Sequence, residues 1–337
     1  MTSFADHVIA LAVVAIMGLA IQRGNTCAVA AIDEAVHLRR FHIIWSIFDV
    51  VVIVAGLYAA LHLAGLLTLA PKHALVSWHT IVGGVLLGLG ACVNGACTIG
   101  ALARIGSGDL AFLATPVGVF LGCDATSHFA NNLLPQVEQN TAATNDVALG
   151  VLVACLLIVG VRLWRGAPEF RRGVKVESIV RHTWNPRVAN TVIGLSFIVL
   201  ALVAGPWSYT DWLYRLARGD ASGSGFLAWL SIVLFIGAVV GGRLMGKWSI
   251  IDVRLSSVIR CVVGGALMGI GLCLVPGAND GLTLEQVPLL IPSAAVAMLG
   301  LFATVIAVVW VAGKRSIVVS ASRRDQNRAR GTVAAGR

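Results

Sequence analysis

Apolar positions in this chain come in long uniform runs. They show neither the alternation of half-buried strands nor the narrow stripe of water-facing helices. A helix needs about 20 apolar residues to cross a bilayer. Nine segments approach or exceed this length: roughly 7–34, 43–66, 78–103, 110–134, 146–163, 188–206, 226–245, 257–276 and 289–312. No water satisfies backbone groups inside hydrocarbon, so such segments fold as helices or as strands of a closed barrel. Barrel strands would alternate over about ten residues, and these runs do not. The pattern predicts an all-α polytopic membrane protein with about nine transmembrane helices.

Several runs are broken. Val8 to Ile21 is interrupted by Gln22-Arg23-Gly24-Asn25, and Cys27 to Ile32 resumes. Gly83 to Ala91 leads into Cys92-Val93-Asn94-Gly95-Ala96-Cys97, and the eighth run ends at Pro276-Gly277-Ala278-Asn279-Asp280-Gly281. Irregular backbone at membrane depth is tolerated only inside protein or around a cavity, so re-entrant half-helices are expected. Gly24, Gly95, Gly277 and Gly281 are the candidate break glycines.

The third and eighth segments share one pattern. GGVLLGLGACVNGACTIG (83–100) lies over GGALMGIGLCLVPGANDG (264–281), with identities at Gly83/Gly264, Gly84/Gly265, Leu86/Leu267, Gly88/Gly269, Gly90/Gly271, Cys92/Cys273 and Gly100/Gly281. Gly-x-x-x-Gly spacing by itself means only close helix packing, and Gly84 with Gly88 fits that reading equally well. A break recurring at one place in both copies points further, to two inverted-topology repeats with a transport site near the midplane. The expected organisation is residues 1–134 as a first membrane repeat and 135–187 as a connecting span with a basic cytoplasmic loop. Residues 188–312 form the second, inverted repeat, and 313–337 a basic, disordered cytoplasmic tail.

Composition agrees with a lipid setting. The chain has 337 residues, 58% of them apolar and 12% charged, with a mean hydropathy of +0.87; soluble chains are about 25% charged. Its net charge of +9 would suggest nucleic acid in a soluble protein, but here the basic residues gather in a few loops. With the N-terminus outside, the inner loops and tail hold 19 Lys and Arg and the outer loops 3. That bias sets the N-terminus outside and the C-terminus in the cytoplasm. MTSFADH carries no basic region, so no cleavable signal peptide is expected. Trp207, Tyr209, Trp212 and Tyr214 read as an interfacial aromatic anchor.

The candidate chemistry is that of cysteine. Seven are present, all in or beside apolar runs, a distribution unlike a disulfide framework. Cys27 and Cys97 each open a second half-helix after a break. Such a start turns unpaired N–H groups and the positive dipole end towards the cavity, which attracts anions. Arg23 adds formal charge close by, and a neutral thiol donates a weak hydrogen bond to a soft anion. Asn94 and Asn279 stand at the two breaks, and Cys92 and Cys273 occupy equivalent positions one turn earlier. Cys123, Cys155 and Cys261 read as small packing residues. Asp124 and His128 read as a polar pair at a helix end. The Cys92-x4-Cys97 spacing is a weak metal signal without a second ligand pair, and no metal or cofactor is expected.

QRGNTCAVAAIDE (22–34), GLGACVNGACTIGALARIGSG (88–108) and the glycine block 264–281 resemble the YeeE/YedE family of sulfur-compound permeases. The resemblance spans both half-repeats. It implies a bacterial inner-membrane bundle with broken helices that imports thiosulfate along a line of cysteines by S–H hydrogen bonds, and it implicates Cys27 and Cys97. Where that family usually has Gly-Cys-Asn at its second break, this chain has Gly277-Ala278-Asn279. Cys273 lies more than a helical turn earlier and does not take that place. Asn279 can donate hydrogen bonds there instead, whereas an ionised Asp280 beside the path would repel an anion.

Three functions compete. The first is an importer of a small sulfur anion through a cysteine-lined centre. The second is a membrane thiol or sulfur-transfer redox protein using Cys92 and Cys97. The third is a non-transporting scaffold whose basic loop and tail bind a cytoplasmic sulfur-carrier protein or anionic lipid. The recurring break favours transport. An enzyme needs no second copy of it and would keep a base beside its nucleophile, which the sequence does not display.

Overall fold

The computed structural model describes residues 4–24, 27–67, 72–129, 137–139, 145–170, 183–220, 224–246, 248–275 and 277–311. The first half comprises α1 (Phe4–Gly24), α2 (Ala28–Leu38), α3 (His42–Leu63), α4 (Trp78–Asn94), α5 (Thr98–Gly106) and α6 (Ala114–Phe129). After α7 (Asn145–Phe170) come α8 (Pro186–Ala204), α9 (Tyr209–Ala217), α10 (Ser224–Leu244) and α11 (Leu255–Leu274). A short helix α12 (Asn279–Gly281) continues into a π-helical turn, Leu282–Gln286, and α13 (Pro292–Val311) follows. Two three-residue strands, β1 (Lys72–Ala74) and β2 (Val137–Gln139), pair antiparallel with Lys72 opposite Gln139.

Among the described residues, 8 segments are long and apolar enough to cross a membrane, and Asn145–Val161 of α7 is a shorter apolar helix beside them. The expectation of about nine spans in an all-helical membrane bundle therefore holds. Large apolar side chains such as Ile16, Phe48, Trp229, Leu299 and Trp310 lie exposed on its outside, which only lipid can cover at this density. The predicted tail from 313 onward and much of the basic loop (171–182) lie outside the described residues.

The centre is set by two glycine-rich helices. α11 packs on α4 and α6, and α4 packs also on α13. A Cβ on Gly90 would lie 2.6 Å from the Gly264 carbonyl oxygen, and one on Gly271 would lie 2.8 Å from that of Gly83. Early residues of α4 thus meet late residues of α11, so the two helices run antiparallel with backbones in contact. Gly84 and Gly88 face Ala297, Leu301 and Thr304 of α13 instead, so for these two the close-packing reading is the correct one.

Local chemistry starts and stops the helices. Ser77 and Thr80 form a capping box at the start of α4, and the Glu34 carboxylate accepts the Ile43 N–H at 3.3 Å in the first turn of α3. α4 ends where Gly95 adopts φ 81°, its N–H reaching back to the Ala91 carbonyl. That left-handed stop is cheap only for glycine. The second break passes through extended Val275 and through Gly277 at φ 144°. Gly281 is helical, φ −63°, so it is not a break residue, and the interruption ends before Asn279.

Two sequence expectations change. α1 is a full 21-residue helix, because Gln22 and Arg23 continue it and are buried rather than ending it. The aromatic anchor is also corrected. Trp207 and Tyr209 are buried, at 3% and 4% exposure, and α9 packs against α6 and α10. The segment after Gly205 is a second short helix turned into the bundle, parallel in layout to α2 after Gly24.

Substitution tests the α4–α11 crossing. Gly90→Ala and Gly264→Ala place a methyl against backbone atoms and are expected to lower stability by about 1–3 kcal/mol. Gly160→Ala, with nothing within 4 Å of its Cβ position, is expected to be neutral or to stabilise by up to about 1 kcal/mol. Thermal unfolding of the purified protein in detergent measures the difference.

Candidate functional site

Four helix starts face one another near the centre. Cys27 stands at the N-cap position of α2, Cys97 at that of α5, Ser208 at that of α9 and Ala278 at that of α12. Each helix start leaves N–H groups without intrahelical partners. Gathered in one buried place, the N–H groups of the longer helices favour negative charge there.

The first pair of starts is joined by sulphur. Cys27 Sγ lies 3.2 Å from Cys97 Sγ, and the Cys97 N–H donates to Cys27 Sγ at 3.3 Å. Cys97 Sγ in turn accepts the Gly100 N–H at 3.4 Å, so it caps its own helix as a serine would, with a weaker acceptor. Cys27 makes no side-chain cap bond to α2, because its sulphur is turned to the other half-helix. Glycine at position 100 permits this, since a Cβ there would sit 2.5 Å from Cys27 Sγ. Both thiols are buried and free.

The second pair is joined by oxygen. The Thr210 hydroxyl donates to both Asp280 carboxylate oxygens, at 2.7 and 2.9 Å, and the Thr98 hydroxyl reaches Oδ1 at 3.5 Å. Ser208 Oγ caps α9 through the Asp211 N–H at 3.2 Å and lies 3.1 Å from Thr210 Oγ1. The Tyr209 hydroxyl donates to the Thr98 carbonyl at 2.9 Å. Thr98 follows Cys97 directly, so this bond and the Thr98–Asp280 contact tie the two pairs together. Asn279 is buried, and its Oδ1 has no hydrogen-bond partner among the described residues. Among the described residues, no other element comes within 4 Å of where a Cβ on Gly281 would stand.

The other sequence candidates fall into distinct positions. Asn94 braces the first break, donating to the Ala96 carbonyl at 2.8 Å and accepting the Thr115 hydroxyl at 3.0 Å. Arg23 is buried in the last turn of α1 with its guanidinium 5.3 Å from the Trp184 ring centroid. Gly24 ends α1 just before the Cys27 approach. Cys92 is half-buried on α4, and the thiol that Cys97 meets is Cys27, not Cys92. Cys273 belongs to the α6–α11 contact, where its Sγ lies 4.0 Å from the Cys123 carbonyl oxygen. Asp124 and His128 pair at 3.4 Å, with the His128 side chain 71% exposed. Ser208, Tyr209, Thr98 and Thr210 were not among the sequence candidates. The faint signal for them was Gly205-Pro206 before a polar Ser-x-Thr, a second break-and-cap pattern.

Membrane-length helices whose interrupted partners begin inside the bundle, around a buried polar and thiol-bearing centre, define a polytopic helical membrane protein of the transport type. The chain belongs to the Sulphur transport family, which it matches over residues 23–307. It is similar to the thiosulfate transporter TsuA of Escherichia coli (strain K12), at 24% identity over 301 residues, covering 79% of this chain and 83% of the relative. It is likewise similar to the thiosulfate transporter TsuA of Spirochaeta thermophila, at 25% identity over 308 residues, covering 81% of this chain and 89% of the relative.

Mild oxidation tests the thiol geometry. A 3.2 Å Sγ separation leaves little movement before a disulfide can close. Copper-phenanthroline treatment is expected to link Cys27 to Cys97, read by mass spectrometry of the digested protein and reversed by dithiothreitol. A Cys92–Cys97 link in its place would contradict the arrangement.

Proposed function

We propose that this protein imports thiosulfate, or a sulfur oxyanion much like it, across the bacterial inner membrane, without a covalent step. The observation that carries the reading is the Cys27–Cys97 contact at the joined starts of α2 and α5. An oxyanion with a soft terminal sulphur loses much of its hydration on entering the bundle. Helix N–H groups return part of that loss through their dipoles, and thiols add weak donors suited to a polarisable atom. Weak donors also let go. Conduction requires sites attractive enough to enter and shallow enough to leave. The two relatives named as thiosulfate transporters support this choice of cargo.

The reading includes two inverted repeats, residues 1–134 and 188–312, linked by 135–187 and followed by the basic tail 313–337. Support comes from the recurring order of elements, α1 to α6 and α8 to α13, and from the antiparallel α4–α11 crossing. In that crossing Gly83 meets Gly271 and Gly90 meets Gly264, two contacts that exchange when each residue is replaced by its counterpart in the aligned pairs Gly83/Gly264 and Gly90/Gly271. Cys27 then corresponds to Ser208, and Cys97 to Ala278. The passage is lined by thiols in one half and, in the other, by Ser208 and Asn279, a buried residue whose amide N–H groups can donate. Arg23, Cys92 and Cys273 act from behind this lining, and Asn94, Gly95 and Gly277 hold the breaks open. The orientation is N-terminus outside and C-terminus cytoplasmic, with the basic loop and tail available to a sulfur-carrier protein.

Uptake in proteoliposomes tests the assignment. Wild-type protein is expected to accumulate labelled thiosulfate. Cys27→Ser and Cys97→Ser are each expected to slow entry at least about tenfold, a barrier increase of about 1.4 kcal/mol, because a hydroxyl is harder and holds water more strongly. Serine variants that import at the wild-type rate would refute the thiol passage.

A further inference from the structure

Asp280 is the acidic group at the centre that the thiol passage does not explain. It lies in the first turn of α12 at 5% exposure. Its carboxylate oxygens receive hydroxyls from Thr210 of α9 and Thr98 of α5. Among the described residues no Lys, Arg or His pairs with it. The titratable groups on the elements around it are Cys97 at the start of α5 and Arg104 within it, Tyr209, Asp211, Tyr214 and Arg215 on α9, and Glu285 in the π-helical turn. Asp211 is itself paired with Arg215, at 2.9 Å.

An ionised carboxylate buried here is costly, since hydroxyl dipoles and the N–H groups of a three-residue helix start do not replace a counter-ion. The cost rises when an anion stands beside Cys97, one residue from the Thr98 that touches Asp280. Like charges at that range in a low dielectric repel strongly. A carboxyl that must be neutral while an anion passes is a proton-carrying group. A hydroxyl chain also leads to it, with Ser208 Oγ 3.1 Å from Thr210 Oγ1, and Thr210 Oγ1 2.7 Å from Asp280 Oδ1.

We propose that Asp280 couples anion passage to a proton. The carboxyl takes up a proton through the Ser208–Thr210 hydroxyls, the anion passes while Asp280 is neutral, and the proton is released on the side towards which the anion moves. The inference rests on the transport reading for its cargo and adds a co-transported ion to it.

Infrared difference spectra of purified protein in detergent read the carboxyl without any transport. At neutral pH the wild type is expected to show the C=O band of a protonated carboxylic acid that is absent in Asp280→Asn. At alkaline pH thiosulfate should raise that band, because anion and proton bind together. In proteoliposomes carrying a pH dye, thiosulfate is expected to acidify the lumen, with uptake falling about tenfold per pH unit on the alkaline limb. Asp280→Asn is expected to give a flat pH profile and no acidification. An Asp280 that is ionised at neutral pH and unresponsive to thiosulfate overturns the proposal, as does an Asp280→Asn protein that acidifies the lumen like the wild type. If Asp280→Asn does not fold, Thr210→Val, which removes the main donor, must shift the same band. Wild-type liposomes that take up no thiosulfate overturn the transport assignment instead, and the infrared response then decides the proton question by itself.

Discussion

A helix interrupted inside lipid frees backbone N–H and C=O groups that hydrocarbon cannot satisfy. This protein contains such interruptions before Cys27, Cys97, Ser208 and Ala278, and each alone would be expensive. They are tolerable because they face one another. Cys97 N–H binds Cys27 Sγ, Tyr209 binds the Thr98 carbonyl, and Thr210 binds Asp280. Close approach of α4 and α11 makes this meeting feasible. With side chains at Gly90 and Gly264 the two backbones would separate, and the breaks that α4 and α11 lead into would separate with them.

Function follows from how those groups are satisfied. A serine or aspartate cap would fill the orphan donors well and leave little for a ligand. Sulphur fills them poorly. Cys27 offers no cap bond to α2, and Cys97 reaches Gly100 only at 3.4 Å. On the proposed reading, the first pair of helix starts keeps residual attraction for an anion, at low cost to its release. In the second pair Ser208 caps α9 with a harder oxygen, Ala278 makes no cap bond and a carboxylate stands beside them, so the two pairs differ in chemistry although their layout is alike. That asymmetry matches Ala278, which stands where the family resemblance implies a cysteine.

Much of this was legible in the chain. Apolar runs specify helices in lipid, and a polar or glycine-rich interruption in such a run has few other meanings, so Cys27 and Cys97 stood out. Gly95 and Gly277 could be read because positive φ selects glycine. Other features were hidden for physical reasons. Trp207 and Tyr209 have the composition of an interfacial belt, and only packing against α6 and α10 turns them inward. Asp280 meets hydroxyls 70 and 182 residues away, a proximity that no local pattern encodes. Gly281 looked like a break residue because it closes the polar, glycine-rich stretch that ends the eighth run, but it is a helical glycine, as is its counterpart Gly100, which the Cys27 approach needs.

The central claim is that Cys27 and Cys97 form one surface on which the cargo rests. Its most direct measurement is the rate at which a small membrane-permeable maleimide modifies these two thiols in intact vesicles, with and without thiosulfate. The account predicts that both react and that thiosulfate slows both together, leaving Cys155 at the distant α3–α7 contact unaffected. Thiols that react at one rate regardless of thiosulfate, or protection of one thiol without the other, would contradict it.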